Sequence, residues 1–124
     1  MPSSVKVVSS NIANISNLII LDNQTSVASQ FIRENTRIET IKLPSGITAI
    51  GSQAFYGCRA LTLVDCRSLL AVPTLADVNA FTNTATGYKI VVPDALYNDW
   101  IVAANWSDST IVSHIISVSD YANL

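Results

Sequence analysis

The amino-acid sequence predicts a mainly β protein: a short solenoid of parallel strands that ends in a C-terminal helical cap. Three observations lead to this prediction. The segment IETIKL at residues 38–43 returns as LTLVDC at residues 61–66, which defines a repeat period. Each copy ends in an apolar, variable, apolar triplet, which is the period of a short strand. Glycines at 46, 51 and 57 separate the two copies and provide the turns between strands.

Residues 1–14 are predicted to be an N-terminal arm or cap. The segment VKVV at residues 5–8 alternates in the manner of a strand and is followed by small polar residues. Such a strand can cover the open end of the first coil, because the terminal repeats of a solenoid must shield their core. An arm exchanged with a neighbouring subunit fits the same residues.

Residues 15–93 are predicted to be the solenoid. Moving the spacing back by one repeat places Ile32 where the next repeat has Phe55. Beyond Cys66, a short insertion between positions 67 and 79 brings Ala80 and Phe81 onto the equivalent positions, and insertions of this kind map to loops. The corrected spacing predicts about four rungs, with strands that start near residues 17, 40, 63 and 89.

The predicted core contains one apolar residue from each inward position of the repeats. Its members are Ile38, Ile41, Leu43, Ile47, Ile50, Phe55, Leu61, Val64 and Phe81. Cys58 and Cys66 fit the same pattern as small buried apolar residues. A disulfide or a metal pair is the alternative for the two cysteines, although no further cysteine exists to complete a zinc site.

Residues 94–124 are predicted to form the C-terminal cap. Asp94 is placed to cap a helix that ends near Asn105. The helix has one apolar face, made by Leu96, Trp100, Ala103 and Ala104. Trp106 is expected to fold back against that face. The β-branched run TIVSHIISV at residues 110–118 predicts a final strand.

The repeat resembles the BspA-like leucine-rich repeat of bacterial surface and phage proteins. The resemblance rests on three short motifs: Ile41-x-Leu43-Pro44, Ile47-x-x-Ile50-Gly51 and Ala54-Phe55-x-x-Cys58-x-x-Leu61. It implies a right-handed leucine-rich-repeat-type coil with its short parallel strands on one face. It also implies a role in recognition and attachment rather than in chemistry.

The composition indicates a partner but argues against several classes of ligand. Charged residues make up only 13% of the chain against 49% hydrophobic residues, so surface beyond the core is expected to be covered by a partner protein or by a homo-oligomer. A net charge of −2 without a basic run predicts no binding of nucleic acid. The longest apolar run, at residues 18–21, is too short for membrane insertion.

The start of the chain lacks the long apolar segment of a secretion signal. The expected location is therefore a phage virion, because virion proteins assemble inside the host cell. A bacterial cell-surface or secreted protein is the alternative if the segment was cut from a longer chain.

The residues that carry chemistry are scattered. The single histidine, His114, lies in an apolar context beside Ser113, which faces the opposite way on a strand. The carboxylates lack the spacing of a calcium loop, and no phosphate-binding glycine pattern occurs, so no cofactor or metal is expected. We therefore expect no enzyme. The competing hypothesis of catalysis requires His114 to lie in a cleft together with a carboxylate.

The predicted stacking defines a candidate partner surface. One row of outward strand positions reads Ile19, Lys42, Asp65 and Val91, and the neighbouring row reads Asn17, Thr40, Leu63 and Lys89. Lys42 and Asp65 would be adjacent, a surface pair worth at most about 1 kcal/mol. The apolar residues in these rows require cover from the cap, from the N-terminal arm or from a partner. Tyr56, in a turn, is the aromatic residue expected to reach solvent, where a glycan is a further candidate ligand.

These observations predict a non-catalytic module for protein assembly or attachment, as a structural or fibre-like protein of a phage virion. A fragment of a bacterial adhesin that binds a host protein or glycan is the alternative. An enzyme is the hypothesis from a different class.

Overall fold

A computed structural model describes residues 4–6, 17–19 and 24–124 of the chain. Its larger sheet consists of six parallel strands in the order β1 (Ser4–Lys6), β2 (Asn17–Ile19), β4 (Thr40–Lys42), β6 (Leu63–Asp65), β8 (Lys89–Val92) and β9 (Ile115–Ser117). A smaller parallel sheet consists of β3 (Ser26–Val27), β5 (Ala49–Ile50) and β7 (Thr74–Leu75). From β2 to β8 the chain passes alternately through the two sheets. The architecture is therefore a mainly β repeat fold.

The strand register follows the period of the sequence. Thr40 pairs with Leu63, and Leu63 pairs with Lys89 on the next strand. The strands expected near residues 17, 40, 63 and 89 begin at those positions. The longer step between the last two places the predicted insertion in the connection from β6 to β8. The described sheet nevertheless has six strands rather than four, because β1 and β9 extend it at its two edges.

The predicted core is confirmed. All nine residues have at most 4% of their surface exposed, and they form one continuous hydrophobic cluster. Phe55 is fully buried, and its ring stacks on that of Phe81 with 5.3 Å between the ring centroids. Phe81 stacks in turn on Tyr88 at 5.7 Å. Aromatic rings thus join successive repeats on the side of the turns.

Close approach between repeats requires a glycine at position 51. Its N–H donates to the carbonyl of Val27 at 2.8 Å. A Cβ at this position would lie 2.4 Å from the backbone nitrogen of Ser29, which belongs to the preceding repeat. Only a residue without a side chain allows the two backbones to approach so closely.

Left-handed backbone recurs at one position of each repeat. Glu34, Gly57 and Asn83 have φ angles of 61°, 73° and 60°. Gly57 adopts this conformation without a steric cost, whereas glutamate and asparagine adopt it less readily. The recurrence shows that the same turn is built in three successive repeats.

The C-terminal segment differs in detail from its prediction. Its helices are α1 (Asp94–Trp100), α2 (Ser109–Val112) and α3 (Val118–Ala122). The first helix ends at Trp100 rather than near Asn105, and Ala104 is exposed. The predicted final strand is restricted to β9, since the first half of TIVSHIISV forms α2. Asp108 explains this difference, because its carboxylate accepts a hydrogen bond from the N–H of Thr110 and caps α2.

Asp94 does not cap its own helix. Pro93 occupies the N-cap position, and the carboxylate of Asp94 instead accepts hydrogen bonds from the N–H, at 3.0 Å, and from the hydroxyl of Ser119. The prediction of its role was therefore wrong. The residue ties α1 to the start of α3.

The two tryptophans pack as expected. Trp106 is fully buried and meets Trp100 edge to face, with ring centroids 5.3 Å apart. The indole N–H of Trp106 donates to the carbonyl of Pro73 at 2.8 Å, and the amide of Asn105 donates to the carbonyl of Leu75 at 2.6 Å. These bonds cover the outer edge of β7.

No helix among the described residues is long and apolar enough to cross a membrane.

Candidate functional site

The outer face of the larger sheet is built by strands whose central residue points inward. In β4 and β6 the central residues Ile41 and Val64 are buried, while the residues on either side of them face outward. We call the outward residues Thr40, Lys42, Leu63 and Lys89 the sheet face. Lys42 is exposed, and the other three are half-buried.

The backbone register places the candidate residues in the two predicted rows. Ile19 pairs with Lys42, Lys42 with Asp65, and Asp65 with Val91. The side chain of Ile19 lies outside the described part of the structure. The ladder therefore brings the candidate positions of one row onto consecutive strands.

Asp65 does not form its ion pair with Lys42. Its two carboxylate oxygens accept hydrogen bonds from the guanidinium group of Arg67, at 3.0 and 2.8 Å, and one also accepts from the N–H of Arg67. Burial disfavours the charged carboxylate, but these bonds, with a weaker contribution from Lys42, hold the pKa of Asp65 below its usual range. Asp65 is only 7% exposed, so it contributes little to the surface.

Val91 must be removed from the candidate partner surface. Its side chain is fully buried although it belongs to the outward row. The helix α3 packs against β8 and β9, and Tyr121 on this helix lies near Arg67. Part of the sheet is thus covered by the C-terminal segment of the same chain. Lys42 and Leu63 remain accessible from the set predicted on these strands.

Tyr56 is half-buried rather than fully exposed. The guanidinium group of Arg33 lies 4.8 Å from the centroid of its ring, a cation–π contact. The residue lines a cleft of about 230 Å³ together with Glu34 and Arg59. Because one ring contact is already made within the chain, Tyr56 is less available for stacking than its position in a turn suggests.

A larger cleft of about 550 Å³ lies between the segment that precedes β8 and the segment that contains α2. His114 lines it and stacks on Tyr88, with ring centroids 3.8 Å apart and an angle of 8° between the ring planes. Asp108 lines the same cleft. The structure therefore places a histidine and a carboxylate in one cleft, the arrangement that the catalytic hypothesis required.

The hydrogen bonds of His114 and Asp108 go to other groups and not to each other. The Nδ1 atom of His114 is 2.8 Å from the carbonyl oxygen of Tyr88. A carbonyl oxygen only accepts, so Nδ1 carries a proton and donates it to Tyr88 rather than to a carboxylate. The Oδ2 atom of Asp108 accepts from the backbone and hydroxyl of Thr110. No hydrogen bond joins His114 to Asp108 in the described structure, and the hydroxyl that is bonded to Asp108, that of Thr110, is not bonded to His114.

The two cysteines are free and buried. The thiol of Cys58 donates to the carbonyl of Ile32 at 3.0 Å. Burial raises the pKa of Cys58 to about 11 and raises that of Cys66 further. The interpretation of both as small buried residues is confirmed. Among the described residues, no group of three or more metal-ligating side chains is assembled.

The repeats identify the family. A family model described as BspA type leucine rich repeat region, with six copies, matches residues 6–98. The chain belongs to this family. The searches of curated proteins and of solved structures gave no significant match. Membership in the BspA-type family indicates a protein-binding repeat module, because stacked repeats present extended surfaces to a partner.

Sequence reasoning missed the larger cleft of this BspA-type protein. The cleft joins residues 78–88 with residues 108–114, which are far apart in the chain and meet only in the fold. One signal was available, namely the polar run TNTATG at residues 82–87. Its asparagine, Asn83, and its glycine, Gly87, both have positive φ angles.

Proposed function

We propose that this chain is a non-catalytic module for assembly or attachment. It binds a protein partner, most simply a second copy of itself, through the sheet face. The observation that carries the proposal is the backbone ladder that holds Leu63, Thr40 and Lys89 in one row across consecutive parallel strands. An apolar side chain is thereby held between polar neighbours on a rigid surface.

The sheet face is suited to a protein rather than to a small molecule. Its backbone is fixed by hydrogen-bonded strands, so little backbone conformational entropy is lost when a partner covers it. Lys42 and Lys89 stand on either side of Leu63, a pattern of an apolar centre with a charged rim that is common in protein interfaces. The two lysines favour an acidic or polar rim on the partner, which controls orientation and association rate more than affinity.

The low charge of the chain supports the same proposal. With 13% charged residues, a larger share of the surface is apolar or neutral than in an ordinary soluble domain. Surfaces of this kind favour association, and symmetric homo-oligomers are the commonest result.

We further propose a particular form of the module, a short right-handed solenoid of about four repeat rungs closed by the C-terminal helices. Its proposed place is a phage virion, as a structural or fibre-like protein. The alternative is a piece of a bacterial surface adhesin. Neighbouring genes discriminate between these locations, because capsid and tail genes favour the virion and a longer reading frame with a secretion signal favours the adhesin.

The test of the sheet face is a charge placed at its centre. Leu63→Glu adds a carboxylate to the half-buried row, and we expect it to weaken self-association at least tenfold, about 1.4 kcal/mol. Light scattering over a range of concentrations measures the effect. Leu70→Glu is the matched control, since it makes the same chemical change at an exposed leucine outside the sheet face.

Two outcomes contradict this assignment. Unchanged association of Leu63→Glu shows that the sheet face is not the contact. Loss of association in Leu70→Glu alone moves the contact to the connection between β6 and β7. Circular dichroism of both variants establishes that any loss of association is not a loss of folding.

A further inference from the structure

The larger cleft has the size and shape of a binding site for a small ligand. Its volume of about 550 Å³ lies within the range of about 300 to 1,000 Å³ that is typical of ligand sites. It opens between the polar run at residues 82–87 and the helix α2. It is separate from the sheet face, and its chemistry is different.

Neutral polar side chains dominate the lining. They are Asn79, Thr82, Asn83, Thr84, Thr86 and Thr110. None of the described residues around the cleft is a lysine or an arginine. A phosphate, a sulfate or a carboxylate would therefore enter without a counter-charge and would face the carboxylate of Asp108.

Three of the hydroxyl groups already donate their protons to the protein. Thr82 donates to the side-chain oxygen of Asn79 at 3.3 Å, and Thr84 donates to the carbonyl of Phe81 at 2.5 Å. Thr110 donates to the carboxylate of Asp108. A hydroxyl that has donated its proton keeps acceptor lone pairs on its oxygen. The hydroxyl oxygens can therefore accept from a ligand, while the side-chain amides of Asn79 and Asn83 can donate to it.

Asp108 and His114 add two further acceptors. Hydrogen bonds from the side chain and the backbone of Thr110 hold the pKa of Asp108 below its usual range, so its carboxylate stays ionised at neutral pH. Both of these bonds end on Oδ2, so Oδ1 can accept from a ligand. His114 donates through Nδ1 to the carbonyl of Tyr88, so the ring nitrogen that remains for a ligand is Nε2, which accepts when this tautomer is present.

The cleft also contains an aromatic surface. One face of the His114 imidazole lies on the ring of Tyr88, which stacks on Phe81. His114 is half-buried and lines the cleft, and no second aromatic ring among the described residues stacks on it, so the imidazole can contact the apolar C–H face of a ring-shaped ligand. The stack connects through Phe81 to Phe55 in the core, and this connection holds the imidazole in place.

We propose that this cleft binds a neutral saccharide. A sugar presents several hydroxyl groups, which both donate and accept, to a lining of hydroxyl and carboxylate acceptors and amide donors, and its flat apolar face fits against the imidazole. The left-handed conformations of Asn83 and Gly87, with φ angles of 60° and 75°, shape the polar run in advance. A preformed site loses less entropy when the ligand binds.

The experiment is an NMR titration of the whole, isotope-labelled chain with glucose, galactose, mannose, N-acetylglucosamine and maltose. At least one of these sugars is expected to shift the resonances of Gly87, Thr110 and His114 in a saturable way. Thr110→Val removes a hydroxyl of almost the same shape, and Asp108→Asn removes the charge. Each is expected to weaken binding about tenfold, the effect of losing one hydrogen bond worth about 1.4 kcal/mol.

The controls keep folding and binding apart. Thr36→Val makes the same substitution in the smaller cleft and is expected to leave sugar binding unchanged. Two variants of His114 are compared. His114→Phe keeps a ring that can stack on Tyr88, and His114→Ala removes the aromatic surface entirely. Thermal unfolding of each variant establishes that it is folded.

Three results overturn the proposal. The first is that none of the five sugars shifts the three resonances. The second is that spermidine or a sulfated disaccharide shifts them while the sugars do not, which assigns the cleft to a charged ligand. The third is that Thr110→Val and Thr36→Val weaken binding equally.

Discussion

Replacing Phe55 by alanine tests whether one continuous core unites the repeats. The ring is fully buried and stacks on Phe81, 5.3 Å away, in the next repeat. The backbone N–H of Phe55 donates to the carbonyl of Ala80 at 2.9 Å and keeps the two repeats in place after truncation. The surrounding structure therefore cannot collapse fully into the space that the ring leaves.

The expected loss follows from the burial. Truncation of a buried phenylalanine to alanine costs about 3 to 5 kcal/mol, because transfer free energy is lost and a cavity remains. The lost stacking contributes about 0.5 to 1.5 kcal/mol, which is the typical value for an aromatic pair. The total free energy of unfolding of a small domain is about 5 to 15 kcal/mol. We therefore expect Phe55→Ala to be folded only marginally.

Urea unfolding followed by circular dichroism at 25 °C measures the free energy of unfolding. Phe31→Ala is the control, because Phe31 is only partly buried against the same core, and we expect it to cost roughly 1 kcal/mol. A free energy of unfolding for Phe55→Ala equal to that of the parent refutes the packing argument. Equal losses in the two variants refute it as well, since they make burial irrelevant.

Trp106→Phe removes an indole N–H that donates to a backbone carbonyl, whereas the buried indole N–H of Trp100 has no partner among the described residues. In urea unfolding, Trp106→Phe should therefore lower the free energy of unfolding by about 1 to 3 kcal/mol more than Trp100→Phe does. Equal losses contradict this. The pKa of Asp65 is lower in the folded than in the unfolded protein, so its contribution is complete above about pH 4 and is lost at lower pH. The stability difference between the parent and Asp65→Asn should therefore shrink below about pH 4, and a constant difference down to pH 2 would exclude this linkage. Burial raises the pKa of Cys58 and Cys66, so both thiols should react with a disulfide reagent at pH 8 much more slowly than in urea. Rapid native labelling would contradict their burial.

The sequence predicted the strand register because the repeat period is itself a sequence property. A regular spacing between repeats, with one short insertion, placed Thr40, Leu63 and Lys89 in one row, and the backbone pairing agrees. The core followed for the same reason, since alternation within each strand shows which residue faces inward.

What the sequence did not reveal depends on tertiary contacts. Val91 alternates as an outward residue, yet α3 packs over its strand and buries it. The segment of α2 is β-branched and was predicted to be a strand, but the cap at Asp108 stabilises one helical turn. The larger cleft combines two distant segments, and a local pattern contains no information about their meeting.

Sedimentation velocity of the unmodified chain, at micromolar concentrations in physiological salt, tests the assembly proposal most directly. An association surface on an open repeat protein predicts a species larger than the monomer, with a share that grows with concentration. A single, stable and soluble monomer across the whole concentration range would contradict self-assembly.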